Sequence, residues 1–241
     1  MRLLSYNIHK GIGGRDRRYA LDRIVRVIEH EHPDLICLQE VDRNVKRSSH
    51  DDQPVKLAET FGAAAHRFQF NHKVGAGGYG NLIVSAWPVT VSHHVSLRLG
   101  WRKRRGAQLA VVETPEGPLL LVNWHLGLIE HERHWQVGHL LDHADFRASA
   151  HLPTILVGDT NDWRNTLGHG PFARHGFAHV TAPHDRFRSF PAYWPLVALD
   201  KAFARGIEVT RARVAHSHLA RRASDHLPLV IDFHLATRAL A

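Results

Sequence analysis

Cysteine is nearly absent from the sequence: Cys37 is the only one among 241 residues. No intramolecular disulfide can form, which excludes the small secreted domains that depend on such bonds. Cys37 lies in the apolar run 35–38, where we expect it to pack as a small core residue.

Long hydrophobic runs are also missing. No stretch approaches the roughly 18 apolar residues that a membrane-spanning helix needs. Residues 1–7 indicate a strand rather than a signal peptide. The sequence therefore predicts a cytoplasmic protein without integral membrane association, and it carries no signal for an oligomeric state.

Lysine is scarce, but positive charge is not. Six of the 31 Lys and Arg residues are lysines, and the formal net charge is +8. Such a balance favours anionic partners, among them phosphorylated metabolites, nucleic acid and acidic lipid. A compositional bias towards arginine is the alternative explanation.

The order of predicted elements indicates a single α/β domain over residues 1–241. Apolar spacing at Leu21, Ile24, Val25 and Ile28 predicts an amphipathic helix. Further helices are predicted at 53–61 and 131–149, and a glycine-rich loop at 74–80. The predicted strands cover 3–8, 35–38, 64–71, 81–85, 89–97, 108–113, 119–124, 154–157, 198–204, 207–214 and 228–235. Several strands are close enough in sequence to form hairpins, which favours layered mixed sheets over a doubly wound parallel sheet.

Residues 154–162 are the most informative stretch. The run 154–157 predicts a buried strand, and Gly158 ends it. Asp159, Thr160, Asn161 and Asp162 then follow without a spacer. A strand that carries such a polar group at its C-terminal tip is a common way to build an active site. These residues are equally suited to a turn followed by a helix N-cap.

Polar side chains also occur at the ends of other predicted strands. Each has a structural interpretation of its own: a lone histidine is more often a core residue, and Ser224 with Asp225 suits a turn. The strand-end residues are Asn7, Glu40, His125, Asp159, Asn161, Asp200, Asp225 and His226.

Six short blocks, taken together, resemble the successive signature blocks of the endonuclease/exonuclease/phosphatase superfamily. They occur in that superfamily's order and extend over almost the whole chain. The resemblance implies a DNase I-like four-layer α/β sandwich, in which two packed mixed β-sheets are flanked by helices and the site lies at one edge. The blocks are Ser5-Tyr6-Asn7-Ile8, Leu38-Gln39-Glu40-Val41, Asn123-Trp124-His125-Leu126, Gly158-Asp159-Thr160-Asn161, Leu199-Asp200 and Ser224-Asp225-His226-Leu227-Pro228. Two longer stretches, 6–11 and 189–195, resemble a bacterial phosphoesterase-like branch.

Three of these residues are candidate metal ligands. Glu40 and Asp225 offer hard carboxylate oxygens, and Asn7 adds a neutral carbonyl. This set suits Mg²⁺, for which Mn²⁺ is expected to substitute. The metal would polarise a phosphoryl oxygen and stabilise the leaving oxyanion.

The remaining strand-end residues are candidates for the chemical step. Asp200 would orient the His226 imidazole, and Asp159 would orient or deprotonate the attacking water. Whether Asp159 or His226 is the general base stays open at this point. Asn161 would position that water or a phosphate oxygen. His125 would donate a hydrogen bond to the pentacoordinate phosphorane, and a dependence on its protonation predicts an acid limb in the pH profile.

Candidate substrate contacts lie in the loops, which are short. If the first strand continues, His9 shares a face with Asn7. Arg105 ends the basic run 101–105, which suits either phosphate steering or a solvated loop. Trp163 follows the Asp159 loop and could stack on a base or sugar, although packing is the commoner role. Arg221 and Arg222 precede Asp225, so we expect them to border the site.

These features predict a metal-dependent phosphoesterase that hydrolyses an anionic phosphodiester by in-line attack of an activated water. Nucleic acid and phospholipid or small-molecule phosphodiesters are both candidate substrates, and a nonspecific or repair-type nuclease is one alternative. A non-catalytic anion-binding module is the other, but it would be expected to lack a site residue, and all of them are present.

Overall fold

The computed structural model describes residues 1–236 and contains two six-stranded sheets. The last five residues of the predicted domain, 237–241, lie outside this range. The strands are β1 (Arg2–Asn7), β2 (Leu35–Arg43), β3 (Ala65–Val74), β4 (Gly77–Ser85), β5 (Val89–Ser96), β6 (Gly106–Thr114), β7 (Gly117–His125), β8 (Thr154–Asp159), β9 (Ala178–His179), β10 (Asp200–Arg205), β11 (Ile207–Val214) and β12 (Leu229–Leu235).

Both sheets are mixed, and each has one parallel pair at its centre. The first sheet has the order β11-β12-β1-β2-β4-β3, and the second has the order β5-β6-β7-β8-β10-β9. The parallel pairs are β1 with β2 and β7 with β8, while β12 and β10 run antiparallel beside them. Parallel neighbours end at the same edge of a sheet, and an antiparallel neighbour begins there. The ends of β1, β2, β7 and β8 and the starts of β10 and β12 therefore share one edge of the molecule.

Six α-helices accompany the sheets within residues 1–236. They are α1 (Leu21–Glu31), α2 (Gln53–Thr60), α3 (Glu130–Asp142), α4 (Ala144–Ala148), α5 (Pro171–Arg174) and α6 (Ala220–Ala223). The apolar stripe of α1 buries Ile24 and Ile28 in the larger core, to which both sheets contribute. The α3 side chains Val137 and Leu140 pack with the second sheet in a separate core. The predicted arrangement of two packed mixed sheets flanked by helices is confirmed.

The predicted helix over 131–149 is interrupted at one residue. His143 adopts extended dihedral angles (φ −64°, ψ 139°), and its side chain accepts a hydrogen bond from the backbone N–H of Asp145. This N-cap ends α3 and begins α4, so the single-helix prediction is wrong at that point.

The predicted glycine-rich loop at 74–80 is also wrong for most of its length. Residues 77–80 are the first part of β4, and the chain reverses just before them. A Cβ atom at Gly77 would lie 2.2 Å from the carbonyl oxygen of Arg43, and one at Gly80 would lie 1.7 Å from that of Gln69. These glycines therefore allow neighbouring strands to approach closely.

No helix within residues 1–236 is both long and apolar enough to cross a membrane.

Candidate active site

A layer of buried amide side chains joins the two sheets beneath their shared edge. Nε2 of Gln39 donates to Oδ1 of Asn123 at 2.8 Å, which links β2 to β7. Asn123 in turn donates to the carbonyl oxygens of Leu38 at 2.9 Å and Leu82 at 3.0 Å. Because buried polar groups are costly unless they are paired, this layer fixes the positions of the two sheets relative to each other.

The Asp159 carboxylate lies at the centre of the edge, at the tip of β8. Its Oδ2 accepts a hydrogen bond from Nδ2 of Asn7 at 3.0 Å. The same oxygen lies 3.3 Å from Nε2 of His125 and 3.8 Å from Nε2 of His226. Four residues from both sheets thus meet at one carboxylate oxygen, and all four are predicted site residues.

Asp159 is 2% exposed, and this burial is the main cause of its raised pKa. The neighbouring Asp200 raises the pKa further, whereas the positive charge of His226 lowers it. A carboxylate whose pKa is raised in this way is a stronger base than an ordinary aspartate.

A hydrogen-bonded chain orients His226 from behind. Its Nδ1 lies 2.8 Å from Oδ2 of Asp200, and the Ser189 hydroxyl donates to the same oxygen at 2.5 Å. Burial disfavours the charged imidazole, but the charges of Asp200 and Asp159 outweigh it and raise the pKa of His226 to about 10. Oδ1 of Asp200 is buried without a hydrogen-bond partner in the part of the chain that the structure describes, which leaves negative charge available to stabilise the imidazolium. His226 is therefore cationic at neutral pH.

His125 is in the opposite state. Burial, followed by the charge of Arg105, places the pKa of His125 well below its usual value, so the ring is neutral at neutral pH. Arg105 is 6% exposed and forms no ion pair with any residue in the range 1–236, and its Nε has no hydrogen-bond partner. A buried, unpaired guanidinium close enough to act on both His125 and Asp159 is suited to bind an anion that enters the site.

Asn161 lies beside Asp159 in a left-handed backbone conformation (φ 51°). Its backbone N–H donates to Oδ1 of Asp159 at 2.9 Å, and its side chain donates to the carbonyl oxygen of Leu126 at 3.0 Å. The side-chain amide therefore ties the β8 loop to the end of β7, and its Oδ1 is left to contact a water or phosphate.

Glu40 is placed by an irregularity in β2. Its backbone is left-handed (φ 56°), and the pairing of β2 with β4 shifts register between Leu38 and Val41. Such bulges re-aim side chains near active sites. The Glu40 carboxylate contacts the Lys10 ammonium. Burial would raise the pKa of Glu40, but the charge of Lys10 and its hydrogen bond bring the pKa well below the usual value, so the carboxylate stays ionised.

Asn7 and Asp225 complete the predicted ligand set, and His9 lies between them. The backbone N–H of His9 donates to Oδ1 of Asn7 at 3.0 Å, and its Nε2 lies 3.8 Å from Oδ2 of Asp225. The first strand does not continue to His9, the condition for a face shared with Asn7: β1 ends at Asn7, and His9 (φ 44°) begins a 3₁₀ turn. This turn brings His9 back over the end of the strand.

The donor chemistry of this set fits a hard divalent cation. Within residues 1–236, no group of three or more His, Cys, Asp or Glu side chains is arranged to hold a metal ion. Mg²⁺, however, is commonly bound through only one or two carboxylates and keeps several waters. The half-buried, ionised Glu40 carboxylate already lies against a cationic group.

Trp163 lies apart from these residues, on the surface. Its side chain is 56% exposed, and the Arg164 guanidinium lies 4.8 Å from its ring centroid. The ring is therefore not packed in the core, which is the commoner role for a tryptophan at this position. An exposed ring after the Asp159 loop is suited to contact a substrate.

Three supporting residues lie within the sequence blocks but had no predicted role. Lys10 contacts Glu40, Ser189 donates to Asp200, and the Ser224 hydroxyl donates to the carbonyl oxygen of Asn7 at 2.7 Å. Their proximity to predicted residues in the sequence was a signal, but their partners are distant in the chain.

A second buried carboxylate, Asp162, lies three residues after Asp159. It accepts backbone hydrogen bonds from Thr166 at 3.1 Å and Leu167 at 3.0 Å, at the start of a 3₁₀ turn. Arg133 and Lys201 lie 3.5 and 3.8 Å away, and both are 1% exposed. Asp162 thus ties the loop to the first amides of this turn, although the N-cap residue is Asn165 and not a residue of 159–162, while Asp159 occupies the site.

Comparison with known proteins places the chain in a family. Residues 4–226 match the Endonuclease/Exonuclease/phosphatase family. The chain is 26% identical over 251 residues to an uncharacterized protein, YbhP, of Escherichia coli strain K12, with coverage of 97% of this chain and 96% of YbhP.

Solved structures agree with this match. A protein from Beutenbergia cavernae described as an endonuclease/exonuclease/phosphatase superposes with a TM-score of 0.80 at 25% identity, covering 100% of this chain and 73% of that one. The mannosyl-6-phosphatase Bt3783 of Bacteroides thetaiotaomicron shares the fold, with a TM-score of 0.68, 17% identity and coverage of 97% of this chain and 99% of that one. The chain belongs to the endonuclease/exonuclease/phosphatase family, whose members are hydrolases that act on phosphate esters.

Proposed function

We propose that the protein is a Mg²⁺-dependent hydrolase that cleaves a phosphodiester by in-line attack of water. The observation that carries the proposal is the position of Asp159, whose Oδ2 lies 3.3 Å from one imidazole and 3.8 Å from another. One of these rings is neutral and the other is cationic. A base, a hydrogen-bond donor and a positive charge therefore surround one small volume.

Asp159 is the general base in this mechanism. Its buried carboxylate has a raised pKa, and it would accept a proton from the attacking water. His226 is already protonated at neutral pH and cannot serve as the base there. Its imidazolium, held by Asp200, would instead stabilise the charge that develops on the phosphoryl oxygens.

His125 donates a hydrogen bond to a phosphoryl oxygen as a neutral imidazole. The acid limb expected from protonation of His125 would then lie at lower pH, because burial lowers the pKa of this residue. Arg105, buried and without an ion-pair partner in residues 1–236, would bind another phosphoryl oxygen.

Asn7, Glu40 and Asp225 would hold the cation. When bound, Mg²⁺ supplies Lewis-acid polarisation of the phosphoryl group and neutralises the charge of the leaving oxygen. Lys10 contacts Glu40 and would have to share or release this carboxylate.

The test is turnover of bis(p-nitrophenyl) phosphate and of p-nitrophenyl phosphate by the purified protein, with Mg²⁺, with Mn²⁺ and after chelation. We expect metal-dependent hydrolysis that favours the diester. Absence of turnover under all conditions would refute the proposal, and so would wild-type activity in Asp159→Asn. A preference for the monoester would indicate that the same mechanism acts on phosphomonoesters.

A nuclease is the second candidate, because exposed basic residues accompany the exposed Trp101 (98%) in the run 101–105. Binding to a nucleic acid strand weakens steeply with salt through counterion release. The affinity of the protein for short single- and double-stranded DNA would be measured between about 50 and 200 mM salt. If the protein is a nuclease, this affinity should fall steeply over the range. A small diester would show little change.

A further inference from the structure

A basic cavity lies next to the candidate active site. We call it the arginine pocket; its volume is about 650 Å³, and its lining residues are Arg15, Asp16, Tyr193, His218, Arg221 and Arg222. Three exposed arginines therefore line one cavity, together with a single carboxylate residue.

The positive charge of the pocket is not neutralised by the protein. Within residues 1–236, the side chains of Arg15, Arg221 and Arg222 form no ion pair. The carboxylate of Asp16 has its own partners, since Oδ2 lies 2.7 Å from Nη1 of Arg23 and Oδ1 accepts the backbone N–H of Arg18 at 3.1 Å. An anion that enters would meet three unpaired guanidinium groups.

The walls of the pocket are held in place by contacts between distant segments. Nη1 of Arg23 also lies 3.4 Å from the carbonyl oxygen of Arg222, so it bridges the loop carrying Asp16 to α6. Gly13 passes so close to α6 that a Cβ atom there would lie 2.6 Å from the same carbonyl oxygen. The backbone segments that carry the lining arginines are therefore held in place, which limits the entropy lost on binding to that of the side chains.

Two of these walls rest directly on Asp225. A Cβ atom at Gly14 would lie 2.7 Å from Cα of Asp225, and the backbone N–H of Ala192, next to Tyr193, donates to the carbonyl oxygen of Asp225 at 2.7 Å. Asp225 thus separates the arginine pocket from the site around Asp159. His226, the next residue, lies 3.8 Å from Oδ2 of Asp159, so the pocket is adjacent to the candidate active site.

We infer that the arginine pocket binds a second phosphate group of the substrate, attached near the phosphodiester that is cleaved. This inference rests on the proposed function for its reacting group. Guanidinium forks match phosphate oxygens in bidentate geometry, and three of them suit a dianion. The half-exposed ring of Tyr193 offers a surface for the sugar or base between the two phosphates. The second phosphate is either the terminal phosphate of a small molecule or the next phosphate of a nucleic acid strand.

The experiment compares two substrates that differ by one phosphate. These are thymidine 5′-(p-nitrophenyl phosphate) and the same ester with a 3′-phosphate, with bis(p-nitrophenyl) phosphate as a reference. For the wild-type protein we expect kcat/KM to be about 10-fold or more higher for the 3′-phosphorylated ester, the scale of one charged hydrogen bond. Equal values for the two thymidine esters would overturn the inference.

Substitutions in the arginine pocket test whether the gain in kcat/KM from the 3′-phosphate arises there. In the double variant Arg221→Gln/Arg222→Gln, the loss of kcat/KM should be at least about 10-fold larger for the 3′-phosphorylated ester than for the reference diester. Arg211→Gln, an exposed arginine on β11, is the matched control and should leave all three values unchanged. A double-variant loss of equal size on all substrates would contradict a second-phosphate site.

Two further arms separate the possible outcomes. With oligonucleotides of increasing length, a gain that stops after one added phosphate indicates a small-molecule substrate, and a continuing gain indicates a strand; both support the inference. If no ester is hydrolysed, only the proposed function is refuted. The arginine pocket can then still be tested by calorimetry with pyrophosphate. Binding that is lost in the double variant then supports the pocket, and binding that is unchanged or absent overturns it.

Discussion

Asp159 and Asp162 lie three residues apart, and both are almost completely buried, yet their surroundings differ in kind. Asp162 accepts hydrogen bonds from two backbone amides and a hydroxyl, and two buried cations lie within 4 Å. Burial raises its pKa, but Lys201 and those amides outweigh it, so the net shift is downward. Asp159 has one amide donor on each oxygen and two imidazoles, and its net pKa shift is upward.

The difference separates a structural carboxylate from a chemical one. Asp162 is stabilised as an anion in the folded protein, which secures the loop that carries Asp159 and Asn161. Asp159 is held in place by one hydrogen bond on each carboxylate oxygen, but its anionic form is less well stabilised than that of Asp162. Carboxylates with raised pKa values in clefts are typical of functional sites.

The largest expected effect is on catalysis by Asp159→Asn. The amide keeps the size of the side chain but cannot accept the proton, so kcat should fall by about 10²–10⁴-fold, the usual contribution of a general base. The free energy of unfolding should stay the same or increase, since a destabilised buried charge is removed. Urea denaturation measures the free energy of unfolding, and diester turnover measures kcat. A large loss of stability would indicate that Asp159, like Asp162, is a structural carboxylate.

Asp162→Asn should behave in the opposite way. It leaves Arg133 and Lys201 buried without their shared counter-charge, and breaking such pairs costs about 3–5 kcal/mol of stability. Chemical denaturation measures the loss. Asp142→Asn is the matched control, because its exposed pair with Arg147 should contribute little. If the two variants lost the same stability, Asp162 would not be the structural carboxylate.

The pH dependence of the free energy of unfolding is a second test of whether Asp162 is a structural carboxylate. The pKa of Asp162 in the folded protein is below its ordinary value of 3.8, so its contribution is fully present above about pH 4 and is lost as the pH falls through the folded value. The stability gap between wild type and Asp162→Asn should therefore be widest near pH 6 and narrow below pH 4, by about 1.4 kcal/mol for each unit of the shift. A gap independent of pH would contradict the ionised state of Asp162.

Ser189→Ala tests how Asp200 is held. The variant removes a buried hydroxyl that donates to Asp200, which should cost about 1 kcal/mol of stability and lower kcat by about 10-fold with little change in KM. Ser189→Thr keeps the hydroxyl and should restore kcat. A change confined to KM would indicate that Ser189 does not act through the orientation of His226.

Trp163→Ala should have the smallest effect. The exposed ring supports neither carboxylate, so the free energy of unfolding should change by less than about 0.5 kcal/mol. A few-fold increase in KM on substrates with a base or sugar would identify it as a substrate contact. An equal increase on bis(p-nitrophenyl) phosphate would show that its role is not stacking on a nucleoside.

The sheets and the strand-end residues could be predicted because the signal is local. An apolar run such as 154–157 predicts a buried strand, and polar residues after it mark the edge. The positions of His9, Lys10 and Glu40 could not be predicted, because each has a left-handed backbone that turns its side chain away from the regular strand direction. The burial of Arg105 and the contact between Ser189 and Asp200 depend on packing between segments far apart in the chain.

In the proposed mechanism, residues from both sheets act on one phosphate and its cation at the shared edge. Anomalous diffraction from a crystal soaked with Mn²⁺ and inorganic phosphate tests it most directly. We expect a manganese peak within coordination distance of the Glu40 and Asp225 carboxylates, with a phosphate between that ion and Asp159 and His226. A manganese ion bound elsewhere, with Glu40 still held by Lys10 and no phosphate beside Asp159, would contradict it.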